Sequence, residues 1–149
     1  MEKIDSYALG FLLNRAMWSL IKCLNSAFKE RGVDLPHSQY IIMRCLFLND
    51  KMSQQDIASL LCKDTAAIKR SVDYLERKGL VERKPISKSK YNICLTDKGR
   101  ELEPVIREIV DYAFKELFSN ISEETYQGGI KFLRAIYESY TKETPDKYW

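Results

Sequence analysis

The sequence has few of the residues that enzymes and metal sites depend on. It contains one histidine, His37, and its four cysteines are scattered singly with no CxxC pair. Zinc sites and disulfide frameworks need closely spaced or paired ligands, so we predict neither, and no other metal site. There is also no Gly-rich phosphate loop and no serine or cysteine in a nucleophile motif. We therefore expect a protein that is not an enzyme and needs no cofactor.

Long apolar runs are missing as well. No stretch approaches the roughly 20 apolar residues of a membrane span, and residues 1–5 carry acids where a secretory leader would be basic. We expect a cytoplasmic protein with no membrane partner. The proportions of 45% hydrophobic and 30% charged residues are those of a globular domain rather than a disordered chain.

Positive charge is concentrated in one quarter of the chain. Residues 63–100 contain eleven Lys or Arg and five Asp or Glu, which gives +6. The remaining residues contain thirteen and sixteen, which gives −3, and the two parts sum to the net charge of +3. An anionic partner is therefore expected to meet residues 63–100.

The hydrophobic period predicts a mainly α chain. Apolar residues recur at three- and four-residue steps, as they do on the buried face of a helix. The first helix is long for a small domain, so we expect a partner subunit to cover part of its apolar stripe. The last helix is expected to point Tyr126, Ile130, Leu133, Ile136 and Tyr140 inward. In all, helices are predicted over residues 5–31, 36–48, 53–61, 64–78, 96–118 and 122–140.

Local signals mark the ends of these helices. Ser53 is followed three residues later by an acid, which resembles a capping box, and Asp64 and Thr96 are good N-cap residues. Gly32 and Gly79 are expected to end the first and fourth helices. The third and fourth helices, joined by a short turn, therefore form a helix-turn-helix.

After the fourth helix the spacing of apolar residues changes from the 3.6-residue period of a helix to the two-residue period of a strand. Residues 80–86 and 91–95 read as two short strands, with residues 87–90 as a polar hairpin tip. Pro85 restricts the first strand to an edge position. A helix fits the major groove of DNA while such a hairpin reaches the adjacent backbone or minor groove. The sequence thus predicts a mainly α fold with a small two-stranded β-wing, a winged helix-turn-helix between long terminal helices.

The fourth helix is the predicted reading element. We expect Thr65 and Ala66 to meet base edges or thymine methyl groups, and Lys69 and Arg70 to bind guanine or phosphate. For any single lysine the alternative is a solvated surface position. Contacts to the DNA backbone are assigned to Gln54, Lys63, Lys84, Lys88 and Lys90, with Arg83 as a further candidate.

Two acids on the same helix would repel phosphates if they faced the DNA. We expect Asp73 and Glu76 to pair instead with Arg77 and Lys78, on the half of the helix farther from the groove.

One set of residues follows a known pattern: Leu35, Gln39, 55–58, 72–83 and 95–99. Through these residues the stretch of about 68 residues from Leu35 to Leu102 resembles the DNA-binding core of the MarR family of bacterial transcription regulators. The resemblance implies a two-fold dimer on a near-palindromic operator, usually repressing, with release by a small phenolic or lipophilic effector or by thiol oxidation. It also implies dimerisation helices at 1–34 and 101–149 around a DNA-binding lobe at 35–100, in one continuous globular unit.

The hairpin tip departs from the family pattern. The family's tip usually carries an Asp-x-Arg element whose arginine enters the minor groove, whereas here the tip is about two residues shorter and its cations are Lys88 and Lys90. Lysine fits a narrow groove less readily than arginine, because it is a compact, strongly hydrated charge. We therefore predict a wing that follows phosphates.

The sequence leaves several alternatives for how the protein is regulated and what it binds. The family's effector pocket leads us to Trp18 with Tyr40 as candidate lining residues. For thiol sensing, Cys23 lies well down the first helix, away from the family's sensing position, and Cys45 and Cys62 are expected to be small core residues. A winged-helix module that binds protein instead of DNA is the remaining alternative.

Overall fold

The computed structural model describes residues 6–141. The acidic start at residues 1–5, where the first helix was expected to begin, and the end of the predicted C-terminal segment at residues 142–149 lie outside the described residues. Within 6–141 the chain forms six helices and three strands, mainly α as predicted. They are α1 Ser6–Glu30, α2 His37–Leu48, β1 Met52–Ser53, α3 Gln54–Leu60, α4 Thr65–Arg77, β2 Val81–Ser87, β3 Lys90–Leu95, α5 Asp97–Leu117 and α6 Glu123–Thr141.

The sheet has one strand more than the sequence predicts. Its order is β1-β3-β2, all antiparallel, with Met52 opposite Ile93 and Val81 opposite Leu95. Strand β1 is only two residues long, too short to show an alternating pattern. It covers the base of β3, while the outer part of the β2–β3 hairpin projects as the predicted wing.

The hairpin ends in a tight tip. Pro85 pairs with Tyr91 and Ser87 with Lys90, so the register shifts at Ile86 and the tip is Lys88-Ser89. A shift of this kind is a bulge, which bends the strand and increases its twist.

The cap residues act as predicted. Ser53 and Asp56 form a reciprocal capping box at the start of α3, and the carboxylate of Asp64 accepts a hydrogen bond from Ala67 N at 2.7 Å. Thr96 Oγ1 accepts from Gly99 N at 3.1 Å and donates to Gly79 O at 2.6 Å. The last pair of bonds ties the end of α4 to the start of α5.

Three helices end in the same way. At the ends of α1, α3 and α4, one residue takes a positive φ, and backbone N–H groups return to the carbonyls of the last turn. Glycine is the usual residue there because it has no Cβ to clash, and Gly32 and Gly79 fill two of the positions. At the end of α3 the residue is Cys62, with φ 50°. The expectation that Cys62 is a core residue was wrong: it lies exposed in the turn.

The core of the winged helix-turn-helix lobe, residues 35–100, lies between α2, α3, α4 and the sheet. Cys45 and Cys94 belong to it, and burial raises the pKa of Cys45 to about 11 because an apolar surrounding disfavours the thiolate. Its largest fully buried side chains include Ile42, Met43, Leu46, Ile57, Ile68, Val72, Leu75 and Ile93.

Internal contacts divide the chain into two compact units, one ending at Ala113 and the other starting at Phe114. In the second unit, Phe118 packs against Phe114 and Tyr126, with ring centroids 5.4 and 5.6 Å apart. No residue of α6 is buried, so the expectation of an inward stripe on this helix was wrong for the single chain. Its apolar side chains, among them Leu133 and Ile136, lie on the surface.

The structure gives a direct test at Gly99. A Cβ there would lie 2.1 Å from Leu80 O, a backbone atom that cannot rotate away. We expect Gly99→Ala to lower the free energy of unfolding by about 1–3 kcal/mol, the usual effect of overpacking a tight site. Urea unfolding at fixed protein concentration measures it.

Gly128→Ala is the matched control. Apart from its chain neighbours and the backbone of its own helical turns, a Cβ at Gly128 meets no described atom within 4 Å, so the substitution should raise helix stability by about 1 kcal/mol. Equal unfolding free energies for Gly99→Ala and the wild type would contradict the packing described here.

Candidate nucleic-acid interface

Helix α4 presents the four predicted reading residues on its exposed side. Ile68, Val72 and Leu75 are completely buried, and they fix which side of the helix faces the core. Four residues near the N-terminus, Thr65, Ala66, Lys69 and Arg70, are all exposed.

The turn before α4 places Lys63 beside this exposed edge. Lys63 N donates to Ala58 O at 2.9 Å, which closes α3 and directs the chain into the N-cap at Asp64. The side chain of Lys63 is exposed. Its charge lowers the pKa of His37, although burial of the imidazole is the larger cause.

The two adjacent cations of α4 differ in their surroundings. Lys69 Nζ lies 3.2 Å from Asp73 Oδ2, an i,i+4 ion pair on the helix surface. Among the residues that the structure describes, Arg70 has no hydrogen-bond or ion-pair partner. Arg70 is therefore the cation of this edge whose donors are free for a ligand.

The expectation that Asp73 and Glu76 pair with Arg77 and Lys78 was wrong. Both acids bind Arg83 of β2: Arg83 Nη2 donates to Asp73 Oδ1 at 2.6 Å, and Nη1 donates to Glu76. The hydrogen bond from Arg83 is the largest cause that lowers the pKa of Asp73, and the bond from Lys69 adds to it. Both acids are thus held by the wing strand, and Asp73 is held by Lys69 of its own helix as well.

Arg77 and Lys78 have other partners. The Arg77 guanidinium lies 4.4 Å from the ring centroid of Tyr74, a cation–π contact on the outer face of α4. Lys78 Nζ reaches back to the Asp34 carboxylate at 3.0 Å and to Gln39 Oε1 at 2.7 Å. Arg77 is therefore exposed at the C-terminal end of α4, with an aromatic partner instead of the acidic one predicted from the i,i+4 spacing.

Arg83 itself is turned away from solvent. Its side chain is only 19% exposed, and Nη2 also donates to Gln54 Oε1 at 3.3 Å. Three of the five N–H donors of Arg83 are used within the protein, so this geometry favours a role inside the lobe, and a phosphate contact by Arg83 stays a prediction. Gln54 joins the same cluster through its side-chain oxygen.

The wing extends the basic surface beyond this cluster. Lys84 pairs with Glu82 at 3.2 Å, and the hydrogen bond that Lys84 donates to Glu82 is the main cause that raises the pKa of Lys84. Lys88 and Lys90, at the tip, are exposed and have no ion-pair partner among the described residues. The tip lysines are therefore the available charges of the wing.

Only one of the two residues predicted for the effector pocket, Tyr40, lines a pocket in the structure. Tyr40 is buried, packs 5.5 Å from Phe28 between ring centroids, and lines a pocket of about 200 Å³ with Arg44, Phe47 and Arg107. Trp18 is half exposed on α1 and is not among the residues that line this pocket. Their pairing in one effector site stays a prediction.

Residues 6–141 contain neither a metal-binding cluster nor a membrane-spanning helix. No group of three or more His, Cys, Asp or Glu side chains in this range is arranged to hold a metal ion. None of the described helices is long and apolar enough to cross a membrane.

Comparison with known proteins identifies the fold. The sequence pattern of the MarR family matches residues 35–90. The HTH-type transcriptional regulator YdgJ of Bacillus subtilis is 32% identical over 97 residues, 64% of this chain, and the aligned part spans 59% of that relative's length.

Solved structures match over more of the chain. A MarR transcriptional regulator from Methanosarcina mazei superimposes with a TM-score of 0.82 at 20% identity, over 95% of this chain and 94% of its own. CouR from Rhodococcus jostii, solved with p-coumaroyl-CoA bound, gives 0.71 at 26% identity over 86% and 90%. The chain thus carries the MarR-family pattern in residues 35–90 and has the fold of MarR-family structures over most of its length.

Proposed function

We propose that this protein is a transcription regulator that reads duplex DNA with the N-terminal half of α4. One observation carries the proposal: the exposed edge from Thr65 to Arg70 lies on a helix of major-groove size, directly after a tight turn that carries Lys63. Arg70 supplies the free guanidinium that guanine recognition needs. The tip lysines of the wing supply phosphate contacts on the same lobe.

The functional unit we propose is a homodimer. Phe11, Leu12 and Trp18 of α1 are each more than half exposed, and the apolar side chains of α6 are also uncovered in the single chain. Apolar faces of this extent usually mark a protein–protein interface. A two-fold dimer would present one α4 to each half-site of an inverted repeat, about one helical turn of DNA apart.

Release of DNA by a small molecule is the regulatory part of the proposal. The pocket beside Tyr40 is lined by aromatic rings, by Arg44 and Arg107, and by two acids, Glu103 and Asp111, with Arg107 paired to Glu103 at 2.9 Å. This lining suits a small aromatic ligand that carries both donor and acceptor groups, and its 200 Å³ is below the roughly 300–1,000 Å³ of drug-sized sites, so a compact ligand is expected. Such a ligand would favour a dimer whose α4 helices no longer match the half-site spacing, and the DNA-bound form would be the repressing one. A ligand that binds there and leaves DNA affinity unchanged would contradict this mechanism.

Selection of bound duplexes from a random library tests the proposed function. We expect enrichment of an inverted repeat, because each subunit of a two-fold dimer reads the same half-site. A winged-helix module that binds protein would enrich nothing, and that outcome would refute the proposal.

Arg70 and Lys69 form a matched pair for the next test. On the selected duplex, Arg70→Ala is expected to cost about 1–3 kcal/mol of binding free energy, the usual value for a base-reading arginine. Lys69→Ala should cost less, because Asp73 already holds the ammonium group. Fluorescence anisotropy at fixed salt measures both. Equal losses for the two variants would argue against Arg70 as the reader.

The wing lysines should act without sequence preference. Replacing Lys88 and Lys90 together by alanine is expected to weaken binding to selected and random duplexes by the same factor. The slope of log K against log salt should become shallower by about 2, since each phosphate contact contributes about 0.9. A change in the preferred sequence would instead indicate that the wing reads bases.

A further inference from the structure

One guanidinium joins the wing to both helices of the helix-turn-helix. Arg83 lies on β2, Asp73 and Glu76 on α4, and Gln54 is the first residue of α3. Arg83 donates to all three of the others, to Asp73 at 2.6 Å and to Gln54 at 3.3 Å. We call these four residues the Arg83 bridge.

The Arg83 bridge lies at the point along β2 beyond which the hairpin has no buried residue. Arg83 is opposite Ile93, which is completely buried in the core. Every residue from 84 to 91 is exposed, so this outer hairpin has no buried side chain to hold it. Contacts of the Arg83 side chain are therefore well placed to set the direction in which the hairpin leaves the lobe.

The charges of the bridge are balanced within the protein. With Lys69 paired to Asp73, two cations face two carboxylates. A charge-assisted arginine–carboxylate contact is geometrically specific because the guanidinium is a rigid planar donor. This arrangement fits a group that fixes geometry better than one that binds phosphate.

We propose that Arg83 is a positioning residue, which holds the wing at a fixed place relative to α4 so that phosphate contacts by the wing set the register in which α4 reads bases. The inference rests on the proposed function. It assigns sequence discrimination partly to a residue that touches no DNA.

The measurement is the specificity ratio, the affinity for the selected duplex divided by that for a random duplex. Nonspecific binding is mostly electrostatic, so loss of one phosphate contact weakens both affinities alike and leaves the ratio unchanged. Loss of positioning lowers the ratio. Three variants are compared with the wild type: Arg83→Met, the double variant Asp73→Ala/Glu76→Ala, and the control Lys84→Met, which removes one charge from the next residue of the strand.

We expect the ratio to fall about tenfold or more in Arg83→Met and also in the double variant, although the latter removes negative charge and should strengthen nonspecific binding. Lys84→Met should keep the wild-type ratio. Combining Arg83→Met with the double variant should lower the ratio no further, because residues that act as one unit are not additive. A ratio within about twofold of the wild type in Arg83→Met would overturn the proposal.

Amide hydrogen exchange without DNA gives a second, independent readout. Exchange in the outer part of β2 and β3 is expected to be about tenfold faster in Arg83→Met and in the double variant, and unchanged in Lys84→Met. Unchanged exchange in all three would overturn the proposal. If Arg83→Met fails to fold, the double variant gives the same test, since alanine is favourable in a helix.

The two proposals fail differently. A wild-type protein that selects no duplex refutes the proposed function, while the exchange measurement still decides whether the bridge holds the wing. A wild-type protein that selects an inverted repeat, together with an unchanged ratio in Arg83→Met, refutes the bridge alone.

Discussion

The burial of one side of α4 determines the rest of the candidate surface. Ile68, Val72 and Leu75 are fully enclosed by the core, and full burial of such side chains is worth roughly 1.5–3 kcal/mol each. Rotating the helix would expose them, so the opposite side, with Ala66 and Arg70, is obliged to face solvent. The N-cap at Asp64 and the tie through Thr96 then fix the two ends of the helix. The exposed edge of α4 is therefore set by core packing rather than by the charged residues themselves.

Ion pairing within the protein reduces the positive charge that is available to a ligand. Residues 63–100 have eleven Lys or Arg, but Lys69, Lys78, Arg83, Lys84 and Arg100 each face a carboxylate. Among the residues that the structure describes, the cations of the lobe without an ion pair include Lys63, Arg70, Lys88 and Lys90, two in or beside the N-terminal half of α4 and two at the wing tip. Charge counting locates the surface, and the ion pairs within it separate the cations that are available to a ligand from those held within the protein.

Interactions within a few residues of sequence could be predicted, and those between elements could not. The caps at Ser53, Asp64 and Thr96 were predicted because donor and acceptor lie three residues apart. The partners of Asp73 and Glu76 were not, because Arg83 reaches them from another element.

Two further features could not be predicted from the sequence, for other reasons. Strand β1 is too short to show a period. The burial of α6 cannot be deduced from its stripe, since an apolar face packs equally well on its own chain or on another.

The central claim is that sequence discrimination lies mainly on the edge of α4 from Thr65 to Arg70. The most direct measurement is photo-crosslinking to a duplex that carries 5-iodouracil in each half-site, with the crosslinked peptides located by mass spectrometry. Crosslinks are expected from the bases to the peptide that contains residues 65–70. Base crosslinks only to peptides outside residues 63–77, those of the wing included, would show that the discrimination lies elsewhere.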